Sequence, residues 1–266
     1  MVKIYQLYRL FFLAAMLLWF SSALAQVEGE GESNSVLQMS RELNSDRTNA
    51  RSYNRDGLMY EQGGQLKLAL DAYTRASDMS PENPDYMFNM ANMQFQLGHI
   101  KRAIVSFAEV IALNKYDVEA YMGRGNCRAL LGNLDGAIAD YSRTVRLRPT
   151  FPNAYFQKGL YNMQAGNMYE AIDDFTEAAK LTPELDRVWM NRGKAYTEVE
   201  RFRKARRDLS KSLDLNPKLG EAYYLRGIAE YNLNNTEKGC ADFQSAINLG
   251  YSKAQALYDK FCKQEK

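Results

Sequence analysis

The chain has 266 residues, 46% apolar and 25% charged, a balance that excludes a mainly disordered or collagen-like protein. Its 34 basic and 32 acidic residues leave a basic excess of only two, so the electrostatic footprint of nucleic-acid binding is absent. Three cysteines are too few for a disulfide framework.

Residues 1–25 have the three-part plan of a secretory signal peptide: Lys3 and Arg9, then the apolar run Leu10 to Phe20, then Ser21, Ser22, Ala23 and Ala25 as a small-residue exit. The apolar run is shorter than the roughly 18 residues of a membrane span. No Cys follows it, which argues against a lipoprotein. The expectation is an exported protein in the periplasm or on the surface of a bacterium, with no stable membrane insertion after cleavage. Taking Lys3 and Arg9 from the 34 bases leaves 32 against 32 acids. Residues 26–49 begin with Gly and Glu and lack a large apolar face. The stretch to Ser35 reads as a flexible linker, and Val36 to Leu43 is open to a short helix.

From Ala50 the chain repeats every 34 residues, in six units: 50–83, 84–117, 118–151, 152–185, 186–219 and 220–253. The eighth place is small throughout: Gly57, Ala91, Gly125, Gly159, Gly193 and Gly227. The twentieth is Ala69, Ala103, Ala137, Ala171 and Ala205, with Cys240 read as its counterpart one place late. The twenty-fourth is a ring or Leu: Tyr73, Phe107, Tyr141, Phe175, Leu209 and Phe243. Pro81, Pro149, Pro183 and Pro217 close four units.

Each unit holds two apolar-periodic stretches of helical length, parted by a turn that carries Gly98, Gly132 or Gly166 in three of them. Small residues let the two helices approach, and the ring fills the space between them. Proline stops the second helix. One such pair cannot bury its apolar face alone, but stacked pairs can. These residues resemble the tetratricopeptide repeat (TPR) family over 50–253. The resemblance implies an all-α fold, a right-handed α-solenoid of about six helix-turn-helix repeats. Residues 254–266 supply a capping helix and tail. Departures are Met87 for the fourth-place ring, Lys115 for a closing proline, and Gln94 and Asn162 for the eleventh-place aromatic.

A second pattern runs inside the repeat. The seventh place is basic in the last four units (Arg124, Lys158, Arg192 and Arg226), and the twenty-third place of the same units is Asp140, Asp174, Asp208 and Asp242. In an antiparallel helix pair turning near the fifteenth residue these places face each other. They are read as structural ion pairs rather than as a basic ladder for an anionic ligand.

Catalysis has little to work with. The only histidine, His99, falls in a turn, and no nucleophile elbow or phosphate loop occurs. A metal site would need carboxylates alone, and the neighbours Asp173 and Asp174 point about 100° apart on a helix. No enzyme activity, metal or cofactor is expected. Cys240 and Cys262 fit either a bridge or two packed thiols that never meet, and Cys127 reads as a small core residue. The basic run Arg201, Arg203, Lys204, Arg206 and Arg207 opens a second helix and reads as a solvated face.

The resemblance implies that first helices line a concave groove that holds partner segments. The matching places give Phe88, Asn89, Asn92 and Phe95 in the second unit, and Met122 and Asn126 in the third. They give Phe156, Leu160 and Met163 in the fourth, Met190, Asn191 and Lys194 in the fifth, and Tyr224 and Ile228 in the sixth. Met and aromatic side chains offer adaptable apolar contact, and Asn can bond a bound backbone. The competing reading packs some of them between neighbouring helices or beneath the folded-back N-terminal segment. The Lys-and-Asn clamp of some family members, which holds a C-terminal carboxylate, is not met at Asn54, Leu58, Glu119 and Gly123. The expected function is a scaffold in the cell envelope, its partner a protein or peptide and not a nucleic acid. The alternative is a structural subunit of an envelope or secretion assembly that uses convex or edge surfaces.

Overall fold

The computed structural model describes residues 49–263. The leader, the linker and the short helix expected before residue 49, and the last three residues of the tail, lie outside that range. Among the described residues there are thirteen helices and no strand. They are α1 (49–62), α2 (Leu66–Met79), α3 (Pro84–Gln96), α4 (Ile100–Leu113), α5 (Val118–Leu130), α6 (Leu134–Leu147) and α7 (Pro152–Gln164). There follow α8 (Met168–Leu181), α9 (Asp186–Glu198), α10 (Phe202–Leu215), α11 (Gly220–Asn232), α12 (Thr236–Asn248) and α13 (Lys253–Phe261). None is long and apolar enough to cross a membrane.

Two compact units divide the chain at Pro81 and Glu82. In the first, α1 and α2 form one helix pair. Gly57 faces the Tyr73 ring so closely that a Cβ there would stand 2.6 Å from it, and the Tyr73 hydroxyl donates to Glu61 Oε2 at 2.8 Å.

The second unit is a solenoid of five pairs and a cap. Each helix packs on the next in sequence, and the closest partners are the two helices of one repeat. First helices start where local chemistry dictates. The Asn83 side chain accepts from Asp85 N–H ahead of Pro84, and Asp117 Oδ1 accepts from Ala120 N–H at 2.8 Å. Gly125, Gly159, Gly193 and Gly227 each face the twenty-fourth-place side chain of their own repeat, with a notional Cβ 2.7 to 3.1 Å away. The rings of Tyr141, Phe175 and Phe243 are fully buried as a result.

The last repeat departs from the sequence reading. Its twentieth place is filled by Gly239, not by Cys240. A Cβ on Gly239 would stand 3.0 Å from the Gly227 carbonyl, so this pair of helices closes glycine on glycine. Cys240 is turned away from that contact and is free for other use. It is bonded to Cys262, with Cα atoms 5.7 Å apart. The bridge, a Tyr231–Phe261 ring stack at 4.1 Å and the buried Ala254 hold α13 against the array. Cys127 is a buried free thiol on α5, pushed up to about 11 by burial.

The turn inside every repeat reaches the left-handed region at the fifteenth place. Gly64, Gly98, Gly132 and Gly166 occupy it with φ between 70° and 86°, but the fifth and sixth repeats place Glu200 (φ 55°) and Asn234 (φ 63°) there. A glutamate in this conformation is strained, whereas Asn tolerates it better. Glu200→Gly should therefore stabilise the protein by about 1 kcal/mol, and Asn234→Gly by less, read by chemical denaturation. Thiol titration gives a second check. The native chain should present no reactive thiol, denaturant alone should expose one, and denaturant with reductant should expose all three.

Candidate partner-binding face

The charged pairs inside the second unit fix how its helices present themselves. Arg124 Nη2 lies 2.7 Å from Asp140 Oδ1, and Lys158 Nζ lies 2.7 Å from Asp174 Oδ1. Arg192 and Arg226 each clamp their aspartate with two nitrogens, at 2.6 and 3.0 Å on Asp208 and at 2.8 and 2.7 Å on Asp242. The bidentate fork suits arginine and is denied to lysine. Each of the three arginines also lies over the fourth-place ring of its own helix, Tyr121, Trp189 or Tyr223, between 4.8 and 5.6 Å from the centroid.

These clusters reach further than their own repeat. Arg192 Nη1 donates to Thr176 Oγ1 and Arg226 Nη1 to Ser210 Oγ, both at 3.2 Å, in the second helix of the preceding repeat. The eleventh place joins them. Arg128 Nη1 meets Asp140 Oδ2 at 2.8 Å, and Asn162 Nδ2 donates to Asp174 Oδ2 at 2.7 Å. In the second repeat, which has no such ion pair, the Ser106 hydroxyl donates to Gln94 Oε1 at 3.0 Å. So Gln94 and Asn162, odd as substitutes for an aromatic, are partners for the twenty-third place. Burial raises the Asp174 carboxyl above the usual range, against the pull of Lys158 and Asn162. A raised carboxyl holds its proton more tightly when folded, so its contribution to stability grows as pH falls through the folded value.

The first helices then present their other face. All of the groove side chains expected from sequence are half-buried. Phe88, Phe156 and Tyr224, at the fifth place of alternate repeats, rest on Phe107, Phe175 and Phe243 with centroids 5.8, 5.8 and 6.2 Å apart. Phe95, Leu160, Met163 and Met190 also lean on the core. These side chains are thus both core margin and surface lining.

The polar members are divided. Asn126 Oδ1 accepts from the Tyr141 and Tyr161 hydroxyls at 2.8 and 3.0 Å, so its oxygen is committed to the junction between α5 and α7. Asn191 donates to the Arg187 carbonyl of its own helix at 2.8 Å. Lys194 meets Glu221 Oε1 at 2.8 Å in the next repeat, and that contact raises its ammonium pKa. The apolar lining is therefore richest over α3, α5 and α7, while α9 and α11 close their polar groups on each other. Asn89 and Asn92 lie half-buried on α3 beside Phe88.

Two features of this face were not read from sequence. Gly123 lets the Phe107 ring come up beneath it, where a Cβ would stand 2.4 Å from the ring, so backbone forms the floor there. Tyr161 fills the α5–α7 junction with its ring 5.5 Å from that of Tyr141. A second Gly two residues from the eighth-place Gly125 was the only available signal.

Family models described as tetratricopeptide repeat match residues 55–117, 88–152, 190–256 and 152–185. No curated protein matches the sequence. Among solved structures, YrrB, described as a TPR protein with an unusual peptide-binding site, is 18% identical with a TM-score of 0.65, over 72% of this chain and 98% of its own. PilF of Pseudomonas aeruginosa is 15% identical with a TM-score of 0.63, over 80% of this chain and 99% of its own. MamA of Desulfovibrio magneticus RS-1 is 20% identical with a TM-score of 0.60, over 64% and 96%. At these identities the likeness shows the fold.

The Arg192–Asp208 pair offers a direct test of the charged clusters. Asp208 is 1% exposed. Asp208→Ala leaves a buried guanidinium without its carboxylate and should cost about 3–5 kcal/mol. The joint change Arg192→Met with Asp208→Leu should recover most of that loss in urea denaturation.

Proposed function

Because the chain belongs to the tetratricopeptide repeat family, we propose that it is a protein-binding scaffold of the cell envelope, whose first-helix face holds an apolar partner segment. The observation that carries this reading is the repeated fifth-place lining. Phe88, Met122, Phe156, Met190 and Tyr224 stand one per repeat along the second unit, each half-buried among the described residues, with Tyr224 also against the Tyr251 ring at 5.2 Å. A fold built to bury its apolar surface between helices leaves such a row on one face only where another chain can complete it. Met side chains adapt to varied contours, which suits a segment bound by shape rather than by one anchor.

Hydrogen bonding along the segment falls to α3. Asn92 sits beside Phe88 and Phe95, where an extended backbone laid on the face would meet it. The peptide-binding site described for YrrB is a precedent on this fold, not a map of this one. The leader-like residues 1–25 support export, and the Cys240–Cys262 bridge suits an oxidising compartment.

Selection of a random displayed peptide library on the purified protein tests this. The enriched peptides should be apolar. Met122→Lys should weaken them about tenfold or more, roughly 1.4 kcal/mol, with helicity and unfolding midpoint unchanged. Peptides that bind Met122→Lys and Asn92→Ala as well as they bind the native chain would remove the first-helix face from consideration.

A further inference from the structure

The second helices of the fourth and fifth repeats, α8 and α10, carry outward stripes of opposite charge in the same register. Counting places within the repeat, the nineteenth is Glu170 on α8 and Lys204 on α10. The twenty-second is Asp173 against Arg207, and the twenty-sixth is Glu177 against Lys211. At the twenty-ninth the signs exchange, and the residues still oppose: Lys180 against Asp214. These places recur at three- and four-residue steps, so they share one helical face. All of these side chains are exposed except Glu177, which is partly so. The eighteenth place adds Tyr169, 60% exposed, against Arg203.

The two stripes do not satisfy each other inside the chain. Glu177 pairs with Lys180 of its own helix, and Lys204 lies over the Tyr196 ring. Among the described residues no ion pair joins α8 to α10, and Glu170, Asp173, Arg203, Arg207 and Lys211 make none. Other neighbouring second helices lack the match. On α12 the places that follow Arg203, Lys204 and Arg207 are Glu237, Lys238 and Ala241, and on α6 the nineteenth and twenty-second are Gly136 and Ala139.

We propose that this outward face binds a second copy of the chain, as a two-fold dimer in which α8 of each copy lies on α10 of the other. The symmetry follows from the register. The two helices are successive copies of one repeat element and run parallel, so equal places stand at about equal heights. A two-fold axis parallel to them, between them and in the contact plane, exchanges α8 and α10 while preserving height. Every place then meets its own counterpart: Glu170 meets Lys204, Asp173 meets Arg207, Glu177 meets Lys211 and Lys180 meets Asp214, each twice. The contact is isologous and closes at two copies. Tyr169 lies over Arg203, a ring-and-guanidinium contact that does not depend on a carboxylate.

Exposed pairs are individually weak and screened by salt. The dimer is therefore salt-labile. It does not rest on the first-helix face, which points the other way from the second helices within each repeat.

Sedimentation velocity on the purified protein tests it. At about 0.01 M salt, where the screening length is roughly 30 Å, the chain should sediment as a dimer. At about 1 M salt, where it is roughly 3 Å, it should be a monomer. The triple reversal Lys204→Glu, Arg207→Glu, Lys211→Glu makes both stripes acidic, and the reversal Glu170→Lys, Asp173→Lys, Glu177→Lys makes both basic. Each variant alone should be monomeric at low salt, with unchanged circular dichroism, and an equimolar mixture of the two should associate. A native chain that stays monomeric at low salt overturns the proposal, as does a dimer that survives either reversal or a mixture that does not associate. If the monomeric native chain instead sediments with phosphatidylglycerol vesicles and the α10 reversal does not, the basic stripe belongs to a lipid surface.

Discussion

Everything in this molecule depends on how closely two helices of one repeat can approach. In the five repeats that carry Gly at the eighth place of the first helix there is little or no room even for a methyl, because the twenty-fourth-place ring or Leu of the second helix already lies there. In the third repeat a Cβ on Gly125 would stand 3.1 Å from the Tyr141 ring, and in the fourth a Cβ on Gly159 would stand 2.8 Å from Phe175. That single contact sets the distance between helices, and the distance sets what else can be buried. Only at this separation can an arginine on the first helix grip an aspartate on the second with both nitrogens. The helical cost of glycine, about 1 kcal/mol per residue, is offset by burial of a whole ring.

The charged clusters are a consequence of that closeness and add direction to it. Arg192 and Arg226 touch a ring on their own helix, an aspartate on the partner helix and a hydroxyl on the preceding repeat. Apolar contacts between similar helices would tolerate a slip of register, whereas a guanidinium that must meet three different partners does not. The second repeat reaches the same end without charge, through Gln94 and Ser106. The twenty-third place therefore always carries a polar group in the second unit, and the eleventh place often answers it.

Much of this was legible before any coordinates. The 34-residue period, the small places and the ring place are one-letter regularities, and period alone locates the helices. The facing of Arg124 with Asp140 followed from the turn at the fifteenth place. What sequence could not give was anything that breaks the period or spans repeats. Cys240 was matched to the twentieth place because it is small and near, but Gly239 holds the place and leaves the cysteine for Cys262. Asn126 was read as a groove residue able both to donate and to accept, because its place faces the groove. Its acceptor is already taken by Tyr141 and by Tyr161 of the next repeat, a contact across 35 residues that no local pattern announces. The charge of Lys194 is likewise paired with Glu221 in the following repeat.

Net charge hides this organisation. The 34 basic and 32 acidic residues nearly cancel, which suggests a surface with nothing to say to a charged partner. Sorted by place in the repeat, the same charges fall into two classes. Those at the seventh and twenty-third places point inward, meet at 2.6 to 2.7 Å and are spent on the fold. Those at the nineteenth, twenty-second and twenty-sixth places of α8 and α10 point outward and are segregated by sign, one helix acidic and the next basic. Random decoration of a solvated face would not hold opposite signs at four consecutive matched places, nor exchange them together at the fourth. A stable neutral monomer needs only the first class. The second class costs the monomer little, since solvent screens it, and it gains value only when another surface of matching pattern is brought against it.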